Sequence, residues 1–259
     1  MRTDTSRAAQ PVGAPTPWLR DVALLMRWSG SRYRYLLPAF TVIQAVFAVA
    51  IIVGFAFLLR NPTAAEVQQL ASGAWTMGII SVGLVIGPQI IGTEKSEGVL
   101  DYIHHLPVRR SAIVVADSSV WAAAALPGLC AGVIAARIRF GLVPTLSWTT
   151  LVVVPLALMT CMFLGSAIAH LLRPNVSGVL TQVCLLFALL FAPVTFPADR
   201  LPLWLQAANA YLPFEPIANL VRAATISDSH EPAMRDLLVL TVWCAIAYTA
   251  DVRAVAHRR

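Results

Sequence analysis

The chain has 259 residues, of which 58% are hydrophobic and 12% are charged, and its mean hydropathy is +0.72. A soluble domain carries roughly twice this charged fraction, so the composition excludes an ordinary soluble protein and predicts one membrane domain with short loops. The net charge of +6 does not indicate nucleic-acid binding, because Lys and Arg flank apolar segments and form no basic run interleaved with aromatic residues.

The N-terminal part divides into a polar tail and a short amphipathic helix. Residues 1–17 are polar and proline-rich, which predicts disorder, and the first long apolar run starts too late, near Leu36, to be the core of a cleaved signal peptide. Residues 18–34 predict a helix lying in the membrane interface, with a cytoplasmic cap on the first span as the alternative. Its apolar residues near one helical face are Trp18, Leu19, Val22, Leu25 and Met26.

Residues 35–259 predict a six-span transmembrane domain. A spanning helix needs roughly 20 apolar residues, and six runs approach or exceed that length. The predicted spans are Leu36–Leu59, Ala74–Ile91, Ser111–Ala136, Trp148–Leu171, Ser177–Phe196 and Ala233–Asp251.

The distribution of basic residues predicts the orientation. With the N-terminus in the cytoplasm, 13 of the 19 Lys and Arg residues fall inside and the other 6 outside. Arg137 and Arg139 are the discordant pair. The asymmetry favours a multi-pass protein of the cytoplasmic membrane with both termini cytoplasmic.

Motifs for catalysis and metal binding are missing from the sequence. It contains no Walker A loop, no HExxH and no GxSxG, so we expect no catalytic residues and no metal site. The cysteines lie in apolar runs and none forms a CxxC pair, so we expect them to act as small apolar residues. They are Cys130, Cys161, Cys184 and Cys244. The histidines lie at predicted loops or span ends rather than on facing spans: His104, His105, His170, His230 and His257.

One ionisable residue and two glycine pairs stand out within the predicted spans. Asp117 is the only acidic residue well inside a predicted span, a turn or two from its cytoplasmic end. Two roles are open: a structural carboxylate satisfied by neighbouring serines and water, or a proton or substrate site. The pairs Gly83–Gly87 and Gly128–Gly132 permit close helix contact, within a bundle or in a dimer.

The stretch between the second and third spans, residues 92–110, combines charged and apolar residues and ends at a proline. It predicts a short amphipathic helix on the inner membrane surface, whose exposed acidic edge, including Glu94, could dock into a partner. The alternative is a solvated loop that only joins two spans.

This stretch resembles the loop of type-2 ABC exporter permeases, in which an acidic–basic–acidic cluster precedes a glycine, a short apolar run, Leu-Pro and a basic residue. The matching residues are Glu94, Lys95, Glu97, Gly98, Val99, Leu100, Leu106, Pro107, Val108 and Arg109. Asp101 and Tyr102 lie in the same stretch and belong to the predicted partner-binding set. The resemblance implies a coupling helix that contacts a separate ATPase subunit.

A second stretch, Phe191–Thr225, is similar to the fifth span of that family and the two short re-entrant helices after it. The matching residues are Pro193, Phe196, Pro197, Leu201, Pro202, Trp204, Leu205, Pro213, Phe214, Pro216 and Arg222. The resemblance implies an outer gate within residues 197–232. Trp204, Tyr211 and Phe214 are expected at the outer membrane interface.

Together, the residues and the resemblance predict an all-α membrane protein with six transmembrane helices, an N-terminal interfacial helix, a cytoplasmic coupling helix and outer re-entrant half-helices. The implied function is the permease subunit of an ATP-driven exporter of an amphipathic or lipid-like cargo: a drug, glycolipid, natural product or polysaccharide. The implied partners are an ATPase subunit that holds ATP and Mg, a second permease copy or homologue, and membrane lipid. No cofactor is expected on this chain.

Two departures from the family pattern are Asp117, where a Lys or a neutral residue is expected, and the His104–His105 pair. Two other functions therefore stay open: a gradient-driven secondary transporter that uses Asp117, and a membrane-bound regulatory or scaffold protein.

Overall fold

The computed structural model describes residues 18–58, 63–99, 108–141, 148–196, 198–226 and 233–257. Every regular element within these ranges is helical. The predicted disordered tail (1–17) lies outside the described residues, as do Pro197 and residues 227–232. Residues 100–107 of the predicted coupling stretch 92–110, here called the coupling segment, also lie outside them.

Ten helices follow one another along the described chain. They are α1 (Trp18–Arg32), α2 (Leu36–Leu58), α3 (Ala64–Ser81), α4 (Gly87–Ser96), α5 (Arg110–Phe140), α6 (Trp148–Leu171), α7 (Pro174–Phe191), α8 (Leu203–Asn209), α9 (Phe214–Thr225) and α10 (Met234–His257). A π-helical turn, Val82–Ile86, joins α3 to α4, and a 3₁₀ turn, Ala198–Arg200, precedes α8. Six segments are long and apolar enough to cross a membrane, which confirms the six-span all-α fold: α2, α3–α4, α5, α6, α7 and α10.

The second span is longer than its predicted bounds, Ala74–Ile91, because the helix begins at Ala64 and continues through the π-helical turn to Ser96. Thr63 and Glu66 form a capping box in which each side chain accepts a hydrogen bond from the other residue's backbone N–H, at 3.3 and 2.9 Å. Hydropathy misses these first turns because they carry several polar residues.

The ends of the other spans agree with the predicted bounds to different degrees. The fourth span has its predicted bounds, whereas α5 is longer than Ser111–Ala136 at both ends and α10 continues past Asp251 to His257. The fifth span ends at Phe191 instead of Phe196, because Ala192 takes an extended backbone directly before Pro193.

The α3–α4 segment forms the centre of the bundle. Within its most apolar stretch 89% of the residues are buried, compared with 22% in α2 and 17% in α7. Since α2 and α7 are apolar yet mostly uncovered, their outer faces need lipid or another protein as a neighbour.

Glycines allow the central segment to approach α6 backbone to backbone. A Cβ atom on Gly83 would overlap the backbone of Cys161, and one on Gly165 would overlap the carbonyl of Gly83. At the second predicted pair, a Cβ on Gly128 of α5 would lie 2.7 Å from Cβ of Gln44 in α2. Close packing at Gly83 and Gly128 is thus used inside the chain.

At the opposite end of the bundle from α1, the short helix α9 packs against α3, α6 and α10. Its apolar side is buried, including Phe214, Ile217 and Val221. The helix is therefore part of the core at this end, although its predicted re-entrant position in a membrane stays a prediction.

We expect Gly165→Ala to lower the free energy of unfolding by about 1–3 kcal/mol, because the added methyl group forces α6 away from the central segment. The measurement is thermal unfolding in detergent. The matched control is Gly178→Ala in α7, where an added Cβ meets open space. This control should keep or gain stability through helix propensity. Equal melting temperatures for the two variants would contradict the close approach.

Candidate functional site

A small charged cavity lies at the end of the bundle that carries α1. Five helices line it, and its volume is about 40 Å³. The ionisable residues on its wall are Arg32 of α1, Glu94 of α4, Asp117 of α5, His170 of α6 and Asp251 of α10. We call this cavity, together with these five residues, the charged cavity.

An ion pair joins α1 to the end of the second span. The Arg32 guanidinium lies 2.8 Å from a carboxylate oxygen of Glu94, which is 6% exposed. The same guanidinium lies over the rings of Trp28 and Tyr33, at 5.3 and 5.0 Å from the ring centres. Arg32 is thus held by both charge and cation–π contacts.

A second pair joins α6 to α10. Nδ1 of His170 lies 2.7 Å from Oδ1 of Asp251, and the Ser166 hydroxyl donates to the other carboxylate oxygen. Asp251 is fully buried. Asp117 lines the same cavity and interacts electrostatically with both His170 and Arg32, so it lies between the two pairs.

Lys95 ties the same end of α4 to α6. Its ammonium donates to the carbonyls of Ala169, of His170 at 3.2 Å and of Leu172 at 2.7 Å. These are carbonyls at the C-terminal end of a helix, where the backbone lacks helical partners and the helix dipole favours a cation.

The predicted partner-binding residues thus divide into two groups. Glu94 and Lys95 are engaged inside the chain, so the expectation that Glu94 lies on an exposed acidic edge is wrong. Glu97 and Gly98 are exposed, and Gly98 takes a positive φ of 72° as the helix ends. Leu100, Asp101, Tyr102, Leu106 and Pro107 lie outside the described residues. The docking role of this set stays a prediction.

Sequence reasoning missed His170 and Asp251. It placed the histidines at loops or span ends rather than on facing spans, and it treated Asp117 as the only acidic residue well inside a predicted span. His170 does lie at a span end, but it faces Asp251 of α10. Because α10 continues to His257, Asp251 also lies inside a span. The fourth and sixth spans run in the same direction, so His170 and Asp251, each near the C-terminal end of its helix, meet at one depth. That shared depth was the available signal.

A polar network holds α9 at the other end of the bundle. The Arg222 guanidinium donates to Ser72 Oγ at 3.2 Å, to Asn219 Oδ1 at 3.3 Å and to the carbonyl of Val194 at 3.4 Å. Asn219 in turn donates to Asp236 of α10 at 3.0 Å. Arg222, predicted from the outer segment, therefore joins α9 to α3 and to the chain after α7.

The other predicted outer residues are distributed over surface and core. Trp204 and Tyr211 are each 72% exposed, whereas Phe214 is buried and lies 6.4 Å from Phe187 between ring centres. The expectation that Phe214 lies at the membrane interface is therefore wrong. Pro202 is exposed, Phe196 and Leu201 are half-buried, Pro213 and Pro216 are buried, and Pro197 is outside the described residues.

An apolar groove of about 430 Å³ lies between α2, the π-helical turn, α4 and α5. Its few polar side chains are Gln44, Ser81 and Gln89, and the buried Trp121 also lines it. We call it the apolar groove.

A family model described as "ABC-2 family transporter protein" matches residues 59–250, about three quarters of the chain. The chain belongs to the ABC-2 transporter family. No curated protein matches it. As an ABC-2 permease, the chain is a multi-pass membrane subunit of an ABC transporter and is itself a non-catalytic component. The matched region holds Glu94, Asp117, His170 and Arg222, but ends one residue before Asp251.

In this ABC-2 permease we expect Arg32→Gln to lower stability by about 1–3 kcal/mol, because the buried Glu94 carboxylate loses its charged partner. The double variant Arg32→Gln with Glu94→Gln should recover part of the loss, since no unpaired charge remains. Thermal unfolding in detergent checks this, with the exposed Arg20→Gln in the same helix as control. A double variant no more stable than Arg32→Gln alone would contradict the pairing.

We also expect the stability of the permease to depend on pH through Glu215 of α9. Burial raises the pKa of this carboxyl group, and Asp236 raises it further, while Arg235 and Arg222 lower it. A raised pKa means that the folded protein holds the proton more tightly than the unfolded chain. This contribution to stability is complete below the ordinary pKa of 4.5 and is lost as pH rises through the folded-state pKa.

We therefore expect wild-type permease to lose stability relative to Glu215→Gln as pH rises from about 4.5. Melting temperatures across a pH series in detergent measure the difference, and the exposed Asp199→Asn serves as control. Parallel pH profiles for wild type and Glu215→Gln would rule out this proton-linked contribution.

Proposed function

We propose that the chain is one of two permease subunits in an ATP-driven exporter and that separate ATPase subunits hold and hydrolyse ATP with Mg. The observation that carries the proposal is the ABC-2 family match across five of the six spans. The exposed end of α4 at Glu97 and Gly98, which leads into the predicted coupling segment, supports it.

The contacts at the end of α4 supply a route for force. A push on the coupling segment would act first on α4, because that helix ends where the segment begins. Glu94 would carry the motion to α1 through Arg32, and Lys95 would carry it to α6 through the helix-end carbonyls. One displaced segment would therefore move three helices.

The cargo would be amphipathic or lipid-like: a drug, glycolipid, natural product or polysaccharide. The apolar groove supports this class, since its lining is mostly hydrocarbon with a few amide and hydroxyl groups. It opens between α2 and α4, and Leu185 of α7 also contributes to it.

A second permease copy would cover the uncovered apolar faces of α2 and α7, with membrane lipid on the remainder. The outer helices α8 and α9 would form part of the exit gate, in which Arg222 holds α9 against α3. In this arrangement both termini and the charged cavity lie on the cytoplasmic side, as the distribution of basic residues favours.

The test is association with an ATPase. The full chain, purified in mild detergent from its native host, should retain an ABC ATPase identifiable by mass spectrometry. We expect Glu97→Lys to reduce the retained amount by about 5-fold or more, because charge reversal at an exposed docking site opposes binding. The matched control is Asp199→Lys, an exposed acid near α8 at the other end of the bundle.

The alternatives give different results. Failure of the wild-type chain to retain any ATPase would overturn the exporter proposal. A gradient-driven transporter would show no ATPase but would lose transport in Asp117→Asn. Equal ATPase retention by Glu97→Lys and Asp199→Lys would contradict docking at Glu97 while leaving the ATPase partner in place.

A further inference from the structure

A second, wider groove lies where α1 turns into α2. Its volume is about 680 Å³, and its walls come from the last turns of α1, the first turns of α2 and α5. Its lining combines the exposed Arg27 and Arg34, here called the mouth, with residues of α2 and α5, here called the floor, which include Leu37, Val120 and Ala123. We call it the arginine groove.

The two arginines provide a positive mouth. Both side chains are exposed, and the two ion pairs seen among the described residues, Arg32–Glu94 and His170–Asp251, involve neither of them. Among the described residues, none that lines the arginine groove is acidic. The groove therefore presents two cationic groups without a carboxylate to oppose an incoming anion.

The two arginines at the mouth lie where a binding site for lipid headgroups is expected. The Arg34 guanidinium lies 4.5 Å from the ring centre of Tyr35, which is 78% exposed. An exposed aromatic ring beside an arginine, at the start of a spanning helix, is typical of the level of lipid headgroups. The opposite side of α1 is covered, since Val22 and Leu25 pack against α5.

The floor of the groove is mostly apolar. Leu37 and Pro38 of α2 face Val120, Ala123 and Ala124 of α5 across it. Thr41 is the polar residue on this floor, and its hydroxyl donates to the carbonyl of Ala124 at 3.2 Å. Since the protein itself satisfies that hydroxyl, the floor offers hydrocarbon rather than hydrogen bonds.

We propose that the arginine groove binds one anionic phospholipid, with its phosphate between Arg27 and Arg34 and an acyl chain along the floor. A free anion would use only the mouth. A second copy of the chain would have to cover both arginines and supply carboxylates at their level. A lipid with a negative headgroup matches both halves of the groove and is already present at that depth of the bilayer.

This site would fasten α1 to the membrane next to the charged cavity. Arg27 and Arg34 flank Arg32, which faces the other way and pairs with Glu94. A bound lipid would hold the side of α1 that carries Arg27, while the ion pair with Glu94 holds the side that carries Arg32. The proposal rests on the spanning fold and not on an ATPase partner, so either can fail alone.

The experiment is native mass spectrometry of the purified full chain, titrated with phosphatidylglycerol or phosphatidylcholine of identical acyl chains. We expect wild type to bind phosphatidylglycerol in preference and Arg27→Gln with Arg34→Gln to bind it roughly 10-fold or more weakly. A single arginine near an anionic surface contributes about 5-fold. The control is Arg137→Gln with Arg139→Gln, an exposed pair at the far end of α5.

Two further variants separate the groove from general surface charge. Arg27→Lys with Arg34→Lys keeps the charge and should retain most of the binding. Ala123→Trp fills the floor and should weaken phosphatidylglycerol binding although both arginines remain. Circular dichroism confirms that each variant is folded, and inorganic phosphate should not compete with the lipid.

Several outcomes would overturn the proposal. These are equal binding of the two lipids by wild type, equal loss in the control pair, unchanged binding by Ala123→Trp, and competition by inorganic phosphate. Loss of a wild-type dimer in Ala123→Trp, with lipid binding unchanged, would assign the groove to a second copy instead.

Discussion

The backbone contact between the central segment and α6 determines where the functional groups of this protein meet. At Gly83 and Gly165 the two helices approach so closely that neither position has room for a methyl group. Both helices run toward the α1 end and finish there together, so Lys95 reaches the last carbonyls of α6. A larger separation at the glycines would move α4 away from α6 and break these hydrogen bonds of Lys95.

Two pairs of buried charges at the α1 end are acceptable in a membrane protein because their members meet on different helices. An isolated ion in hydrocarbon is costly, and its removal from water is compensated only by close pairing and further hydrogen bonds. Arg32 with Glu94 and His170 with Asp251 meet this requirement across four helices. Such pairs add little to net stability, but they penalise any arrangement in which the helices separate.

The sequence predicted the number of spans and their approximate positions because hydropathy over some 20 residues reports membrane burial directly. It also located Arg222 and the proline-broken segment around it. It could not predict which charges meet, since pairing depends on the relative depth of helices distant in sequence. Glu94 illustrates the difficulty. Its charged neighbours in the sequence indicate an exposed position, whereas in the structure it is buried and paired with Arg32, which lies 62 positions earlier.

The two ends of the bundle impose different constraints on motion. At the α1 end, charge pairs link α1, α4, α6 and α10, so these helices resist separation but can shift together. At the other end, the hydrogen bonds from Arg222 to Ser72, Asn219 and the carbonyl of Val194 hold α9 against α3 and the chain after α7. In the proposed exporter, a push at Glu97 would therefore displace the charged end as one unit. Opening at the far end would require α9 to leave its apolar packing and the Arg222 hydrogen bonds to break, so Arg222 would be one of the contacts that oppose release of cargo.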